Sequence, residues 1–271
     1  MKKILIIGKR GFLGNSLSKY LKKFYYVKQI SFRETKKFKN KINNFDYIVN
    51  TSIDKKYIYN KYNEKFDNDL KISKLIYNKK IIYIFISTRK VYPSKPNLKE
   101  SSKLTPRSNY SKSKLITEQK LNKQLKNNLV ILRVSNIIGD KISIKKIHRT
   151  FIDIFFENIK RGIVIDNGST FKDFLSIDKF CQILKEIIAK RLTGTYNISI
   201  GQKIYLNDLI KWLNRCNTKK FKIKKNFNLK NESFYLNNDK IMSKIKIKNS
   251  LNELKKFCYN YSKKKFLSVQ S

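Results

Sequence analysis

Glycine and proline are scarce in this chain, 8 and 3 among 271 residues, and cysteine (3), histidine (1) and tryptophan (1) are scarcer still. Each shortage closes off a class. With so few glycines and prolines and no internal repeat, no fibrous, low-complexity or flexible-linker segment is expected. Cys181, Cys216 and Cys258 are odd in number, far apart and free of any C-x-x-C pairing. A disulfide scaffold and a structural zinc site are therefore excluded, no metal is expected, and a reduced, cytoplasmic protein is. Long apolar runs are missing too. Only Ile4 to Ile7 separate Met1-Lys2-Lys3 from Gly8, too short for a secretory core, and no later run approaches a membrane span. Acidic residues are few, 19 against 62 Lys and Arg, for a net charge of +43. The lysines are scattered through every segment together with Asn, Ile, Tyr and Phe, and no nucleic-acid-binding motif accompanies them. The charge therefore reads as compositional bias rather than a dedicated nucleic-acid surface, although it would attract small anions.

Against that scarcity, three of the eight glycines fall within seven residues, at Gly8, Gly11 and Gly14. They directly follow the apolar run Ile4-Leu5-Ile6-Ile7, which reads as a strand buried on both faces. Phe12/Leu13, Leu17 and Leu21 then recur with helical spacing. Strand, glycine turn and helix together suit a pyrophosphate, which needs bare backbone to approach and a helix N-terminus to face. Residues 26–32 alternate as a second strand ending at Arg33. At that strand end a basic residue accepts a ribose 2′-phosphate and an acidic one a free 2′-hydroxyl. Arg33, helped by Arg10, thus favours NADP over NAD. Residues 45–52 make a third strand, with Asn50 and Thr51 at its end lining the cofactor groove.

The most apolar strand, residues 80–86, ends in Ser87-Thr88, where open α/β sheets place their ligands. Tyr110 and Lys114 follow, four apart on one helical face. A neighbouring ammonium stabilises a phenolate and makes tyrosine usable as a general acid or base. Y-x-x-x-K alone means little in a chain so rich in both residues; behind the glycine turn and Thr88 it gains weight.

In this combination the sequence resembles the extended short-chain dehydrogenase/reductases, and within them the nucleotide-sugar epimerase, dehydratase and reductase group. The resemblance covers nearly the whole chain. It implies a Rossmann-like doubly wound α/β fold with a smaller C-terminal lobe. Residues 1–138 and 173–193 would form the NAD(P)-binding domain, and residues 139–172 and 194–271 the substrate-binding lobe. It implies cofactor contacts from Gly8, Arg10, Gly11, Phe12, Leu13, Gly14, Arg33, Asn50, Thr51, Asn68, Tyr110 and Lys114. Thr88 would hold the oxygen of the carbon undergoing hydride transfer, Tyr110 would be the acid/base, and Lys114 would tune it and hold the nicotinamide ribose. Asn136, after the sixth family strand, and Lys172, in place of a usual arginine, would meet the nucleotide-sugar substrate. Glu100, Pro106 and Glu118 also sit where the family has them. A homodimer is implied by the resemblance only.

Arg89-Lys90 stand where the family's 4,6-dehydratases carry an Asp-Glu pair, so a dehydratase is disfavoured and a 4-keto reductase and a 4-epimerase both stay open. His148 reads as a polar residue flanking the helix of 151–159. Gly194 to Gly201 read as a short strand introducing the last lobe, and Trp212 as packing. The alternative is a non-catalytic dinucleotide-binding regulator or RNA-binding scaffold on the same fold, against which the set Thr88, Tyr110 and Lys114 counts.

Overall fold

The computed structural model describes residues 1–139, 157, 164–166, 169–217, 223–225 and 232–267. His148 and the helix expected at 151–159 lie outside them, apart from Glu157.

Six parallel strands form the main sheet: β1 (Lys3–Ile7), β2 (Tyr26–Ile30), β3 (Tyr47–Asn50), β4 (Ile82–Thr88), β5 (Leu129–Val134) and β10 (Gly194–Ile198). Their spatial order is β2-β1-β3-β4-β5-β10. The chain leaves β1 to one side to build β2, then returns across β1 to build β3. A crevice must open between the carboxyl ends of β1 and β3, where a doubly wound sheet receives its ligand. Register brings the strand ends level there, with Ile7 opposite both Ile30 and Asn50. Strand β4 runs three residues past Phe85, the partner of Asn50, still paired with β5, and so carries Thr88 beyond the end of β3.

Alternation along these strands supplies two cores. Ile4, Ile6, Val49, Ile84, Val130 and Leu132 pack on one face against α1 (Phe12–Leu21) and α6 (Ile177–Ala189). Leu5, Ile7, Ile48, Tyr83, Phe85 and Ile131 face the other way, toward α4 (Asn68–Ser73) and α5 (Asn109–Leu125). Each aliphatic side chain so buried contributes roughly 1.5–3 kcal/mol. The short α2 (Lys39–Ile42) and α3 (Lys55–Tyr59) fill the connections around β3.

Gly194 to Ile198, assigned above to the substrate lobe, is instead the edge strand of the main sheet, paired along its length with β5. Its Tyr196 and Ile198 complete the first core, which explains the placement. The strand expected over 26–32 stops at Ile30, because Ser31 and Glu34 close a capping box that turns residues 32–35 into a 3-10 helix.

Beyond β5 the strands are short: β6 (Asn136–Ile138) beside β9 (Phe174–Ser176), β7 (Val164–Asp166) beside β12 (Ile223–Lys225), and β8 (Phe171–Lys172) antiparallel to β11 (Ile204–Tyr205). Helices α7 (Leu206–Leu213) and α9 (Leu251–Phe266) share a third core with Ile138 and Phe174, and Trp212 packs against it. The four-residue α8 (Asp239–Met242) adds Ile241 to the first core. Cys181 and Cys258 are buried as free thiols. No helix among the described residues is long and apolar enough to cross a membrane.

Candidate functional site

The glycine turn caps the crevice. Gly8 has φ +134°, and a Cβ there would stand 2.2 Å from Thr51 Oγ1; a Cβ on Gly14 would stand 2.2 Å from the Gly8 carbonyl. These two glycines let strand, turn and helix close on one another, with Thr51 donating its hydroxyl to the Ile7 carbonyl at 3.1 Å. Gln29 on β2 holds the Gly8 carbonyl from the other side at 2.9 Å. Gly11 differs: a Cβ there would meet nothing within 4 Å. It is the N-cap of α1, offers no capping side chain, and precedes a first turn without an acid. The open space and the uncapped N–H groups of Phe12 and Leu13 fit a phosphate-bearing cofactor, the role the middle glycine has when backbone must approach a pyrophosphate.

Around the turn, Lys9 pairs with Glu34 at 3.0 Å, and Glu34 also accepts from the Ser31 amide at 2.7 Å. Those hydrogen bonds, the Ser31 amide first, hold its carboxyl down at about 2. The acid nearest the end of β2 is thus already engaged, while Arg10 and Arg33 are exposed. At the end of β3, Asn50 Oδ1 accepts from the Ser52 amide (2.9 Å) and hydroxyl (2.6 Å), and Asn68 donates to the same hydroxyl at 3.2 Å.

Thr88 ends β4 and caps a 3-10 turn, its Oγ1 accepting from the Lys90 amide at 3.2 Å. The hydroxyl proton remains available to a substrate oxygen. Lys114, 7% exposed, donates to the Ile86 carbonyl at 2.9 Å, two residues before Thr88, and so ties α5 to this strand end. Tyr110 lies one turn earlier on the same helix, positioned by Ser108, which caps Ser111. Behind Lys114 sits a carboxylate the sequence had not singled out. Asp69 Oδ2 is 4.0 Å from the ammonium, and Asp69 Oδ1 accepts from Tyr83 at 2.8 Å. Burial lifts the Asp69 carboxyl to about 6 against the pull of Lys114. Beside it Thr117 donates to Asp67 at 2.5 Å and shares a 2.7 Å hydrogen bond with Tyr57, whose phenol burial pushes well up.

The structure thus sets an uncapped helix N-terminus beside the glycine turn, and at the end of the central strand a hydroxyl and a buried ammonium, with Tyr110 one helical turn before that ammonium. Residues 4–199 match the NAD dependent epimerase/dehydratase family. The chain belongs to that family. It is accordingly an enzyme of the NAD(P)-dependent extended short-chain dehydrogenase type. Among solved structures, the UDP-N-acetylglucosamine 4-epimerase of Methanobrevibacter ruminantium M1, in complex with UDP-N-acetylmuramic acid, is similar at 18% identity and TM-score 0.80, over 100% of this chain and 99% of that one. A dTDP-4-dehydrorhamnose reductase of Clostridium acetobutylicum is similar at 18% identity and TM-score 0.73, over 96% and 98%. The dTDP-glucose 4,6-dehydratase of Bacillus anthracis str. Ames, in complex with NAD, is similar at 15% identity and TM-score 0.75, over 100% of each chain. At such identities the likeness carries the fold alone. No curated protein matches the chain.

In this epimerase/dehydratase-family chain two further networks brace the site, and sequence pattern had flagged only fragments of them. Beneath Thr88, Arg133 is forked onto Glu118 (2.7 Å from its NH2) and donates to Tyr92 at 2.8 Å, while Ser87 donates to the same Glu118. Tyr92 in turn reaches Asn197 on β10 at 2.9 Å, and Glu100 accepts from the Asn197 amide at 2.8 Å. Glu100 and Glu118, noticed only by their family positions, thus tie β4, β5 and β10 together. The second network centres on Asp173, fully buried, whose carboxylate accepts from the backbone amides of Ile200 (3.1 Å), Gly201 (3.3 Å) and Leu236 (3.1 Å). Burial lifts its carboxyl to about 7 against those three N–H groups. Asn136 donates to the Asp173 carbonyl at 3.0 Å, and Lys172 precedes Asp173 on β8 opposite Ile204. The two expected substrate contacts therefore flank one carboxylate that stitches the lobe to the sheet. Arg33 and Arg10 stand apart from the Thr88 cluster, on the β2 side of the crevice, as cofactor contacts at the adenosine end would.

Proposed function

We propose that this chain transfers hydride at the 4-keto or 4-hydroxy carbon of a nucleotide-activated sugar, as a 4-keto reductase or a 4-epimerase, with NADP preferred. The observation that carries this reading is Lys114, buried, bonded to β4 two residues from Thr88, and one helical turn from Tyr110. A nicotinamide dinucleotide seated at Gly8, Gly11 and Gly14, beside Asn50, Thr51 and Asn68, supplies the hydride carrier. The chain's own residues do the rest. Thr88 donates a hydrogen bond to the sugar oxygen and orients it. Tyr110 delivers the proton to that oxygen as the carbonyl carbon is reduced, or takes it in the reverse direction. Lys114, one helical turn from Tyr110, would tune the phenol and hold a cofactor ribose. Asn136 and Lys172 hold the nucleotide-sugar; lysine there offers a point charge where arginine would offer a fork.

Water elimination needs a carboxylate pair after the threonine, and Arg89 with Lys90 provides none, which disfavours a dehydratase. The NADP preference rests on Glu34 being engaged by Ser31 and Lys9, while Arg33 and Arg10 stand exposed beside the turn. The test incubates the protein with NADPH or NADH and a panel of nucleotide-linked 4-keto sugars while following absorbance of the reduced cofactor. Oxidation that disappears in Tyr110→Phe marks a reductase. Exchange of C4 configuration with catalytic cofactor and no net oxidation marks an epimerase. Neither activity with any sugar overturns the proposal.

A further inference from the structure

Four cationic side chains among the described residues are at least nine-tenths buried: Arg89, Lys114, Arg133 and Lys179. Three have acceptors. Lys114 has the Ile86 carbonyl and Asp69, Arg133 has Glu118, and Lys179 has the Lys248 carbonyl at 2.6 Å and Glu253 at 3.0 Å. Arg89 has none among the described residues. It is 8% exposed, its Nε is buried without a partner, and the acid that influences it, Glu232, is too far for an ion pair. Burial lowers the guanidinium to about 10, the direction expected for a charge taken out of water without compensation.

Its surroundings say what it waits for. Arg89 directly follows Thr88, and its guanidinium lies 3.7 Å from the ring centroid of Phe234, itself fully buried. Phe234 belongs to the lobe segment that Asp173 and Leu98 hold against the sheet. Arg89 therefore stands at the seam of sheet and lobe, next in the chain to the threonine proposed above to meet the sugar. Stacking on an aromatic face fixes the plane of a guanidinium and leaves its in-plane N–H groups for a planar, two-oxygen acceptor.

We propose that Arg89 reads a carboxylate carried by the sugar, so that the substrate class is a nucleotide-linked sugar acid. The inference rests on the function proposed above and narrows it. Lys90, exposed at the same turn, adds positive charge at the entrance. A sugar carboxylate is favoured over the nucleotide diphosphate because Arg89 neighbours the residue that serves the reacting carbon.

The experiment is calorimetric titration of the protein saturated with NADPH or NADH, a state in which 4-hydroxy sugars bind without turning over. The ligands are the glucuronic acid and glucose conjugates of UDP and dTDP, with UDP and dTDP alone. The acid should bind about tenfold to a hundredfold more tightly than its neutral counterpart, as a charge-assisted hydrogen-bonded pair does. Arg89→Met should bring the two within about threefold, and the unliganded variant should melt no lower than wild type, because a buried cation without an acceptor has been removed. Equal binding of acid and neutral sugars by wild type, or a preference that survives Arg89→Met, overturns the inference and leaves the proposed function standing. So does an equal loss for UDP, the neutral sugar and the acid, which would place the diphosphate on Arg89. If the reduced cofactor binds and no nucleotide sugar does, both readings fall.

Discussion

Replacing Asp69 by asparagine should make the protein more stable and less active, and the two effects have one origin. Asp69 is 5% exposed and faces Lys114 at 4.0 Å, with Tyr83 and Asn50 donating to it and Asp67 close by. Its carboxyl is raised from an ordinary 3.8 to about 6, mainly by burial, with the attraction of Lys114 already counted. Each pH unit of displacement corresponds to about 1.4 kcal/mol, so the ionised carboxylate lowers stability by about 3 kcal/mol relative to its protonated form. The folded value lies above the unfolded one. Between pH 4 and 6 the folded state therefore holds a proton that the unfolded chain has lost, stability falls as pH rises through that window, and it stays level above it.

Asparagine copies the shape, keeps an acceptor for Tyr83 and cannot ionise. Asp69→Asn should thus gain about 1–3 kcal/mol at pH 8, and the gain should shrink as pH falls toward 4. Urea unfolding of both proteins at several pH values measures it, and taking the difference cancels the parallel contribution of Asp173. Activity should fall at least about tenfold, because Lys114, one helical turn from Tyr110, loses its paired charge. A variant less stable than wild type at pH 8, or a stability difference that does not vary with pH, would refute the reasoning.

Other perturbations separate binding from folding. Gly11→Ala should keep its stability within about 1 kcal/mol yet weaken dinucleotide binding about tenfold or more, since its methyl would enter open space where the proposed cofactor would approach. Gly8→Ala, with φ +134° and a wall at Thr51, should cost about 2 kcal/mol or more in thermal unfolding. Arg33→Asp should raise the dissociation constant for NADPH about tenfold and leave NADH tighter than before; an unchanged ratio removes the NADP argument. Asp173→Ala strands three buried amides and should cost about 3–5 kcal/mol, read as a lowered urea midpoint.

The sheet and the glycine turn were legible because both are written in local pattern. Ile4 to Ile7, Ile82 to Ile86 and Leu129 to Leu132 are continuous apolar runs, as strands buried on both faces require. The turn at Gly8 needs three glycines at fixed spacing in a chain that has few. Thr88, Tyr110 and Lys114 were legible in combination, as a hydroxyl at a strand end and a pair on one helix face. Asp69 and Asp173 were not, and Arg89 reads only as a residue that disfavours a dehydratase, not as a buried cation. Each looks like an ordinary polar residue in its own segment, and its meaning comes from partners 14 to 63 positions away or, for Arg89, from the lack of one among the described residues. The strand Gly194–Ile198 was misplaced for a related reason: five residues of moderate polarity reveal nothing of which sheet they join, and parallel pairing with β5 across some sixty residues decides it.

Those unforeseen charges share a logic. In a chain with 62 basic residues, an isolated cation carries no information, and a buried one must be explained by what faces it. Arg133 is answered by Glu118 and holds strands together. Lys114 is answered by Asp69, which is itself raised by burial, so this pair is held at a cost that structure alone would not require. A protein selected only for stability would place neutral groups at both positions. The costly pair lies one helical turn from the phenol expected to move the proton, and Arg89, without an acceptor among the described residues, follows in the chain the hydroxyl expected to hold the substrate. Unfavourable electrostatics thus converge on the carboxyl end of β4, and that convergence, more than any single motif, is why the end of β4 is proposed as the place where the chain meets its ligand.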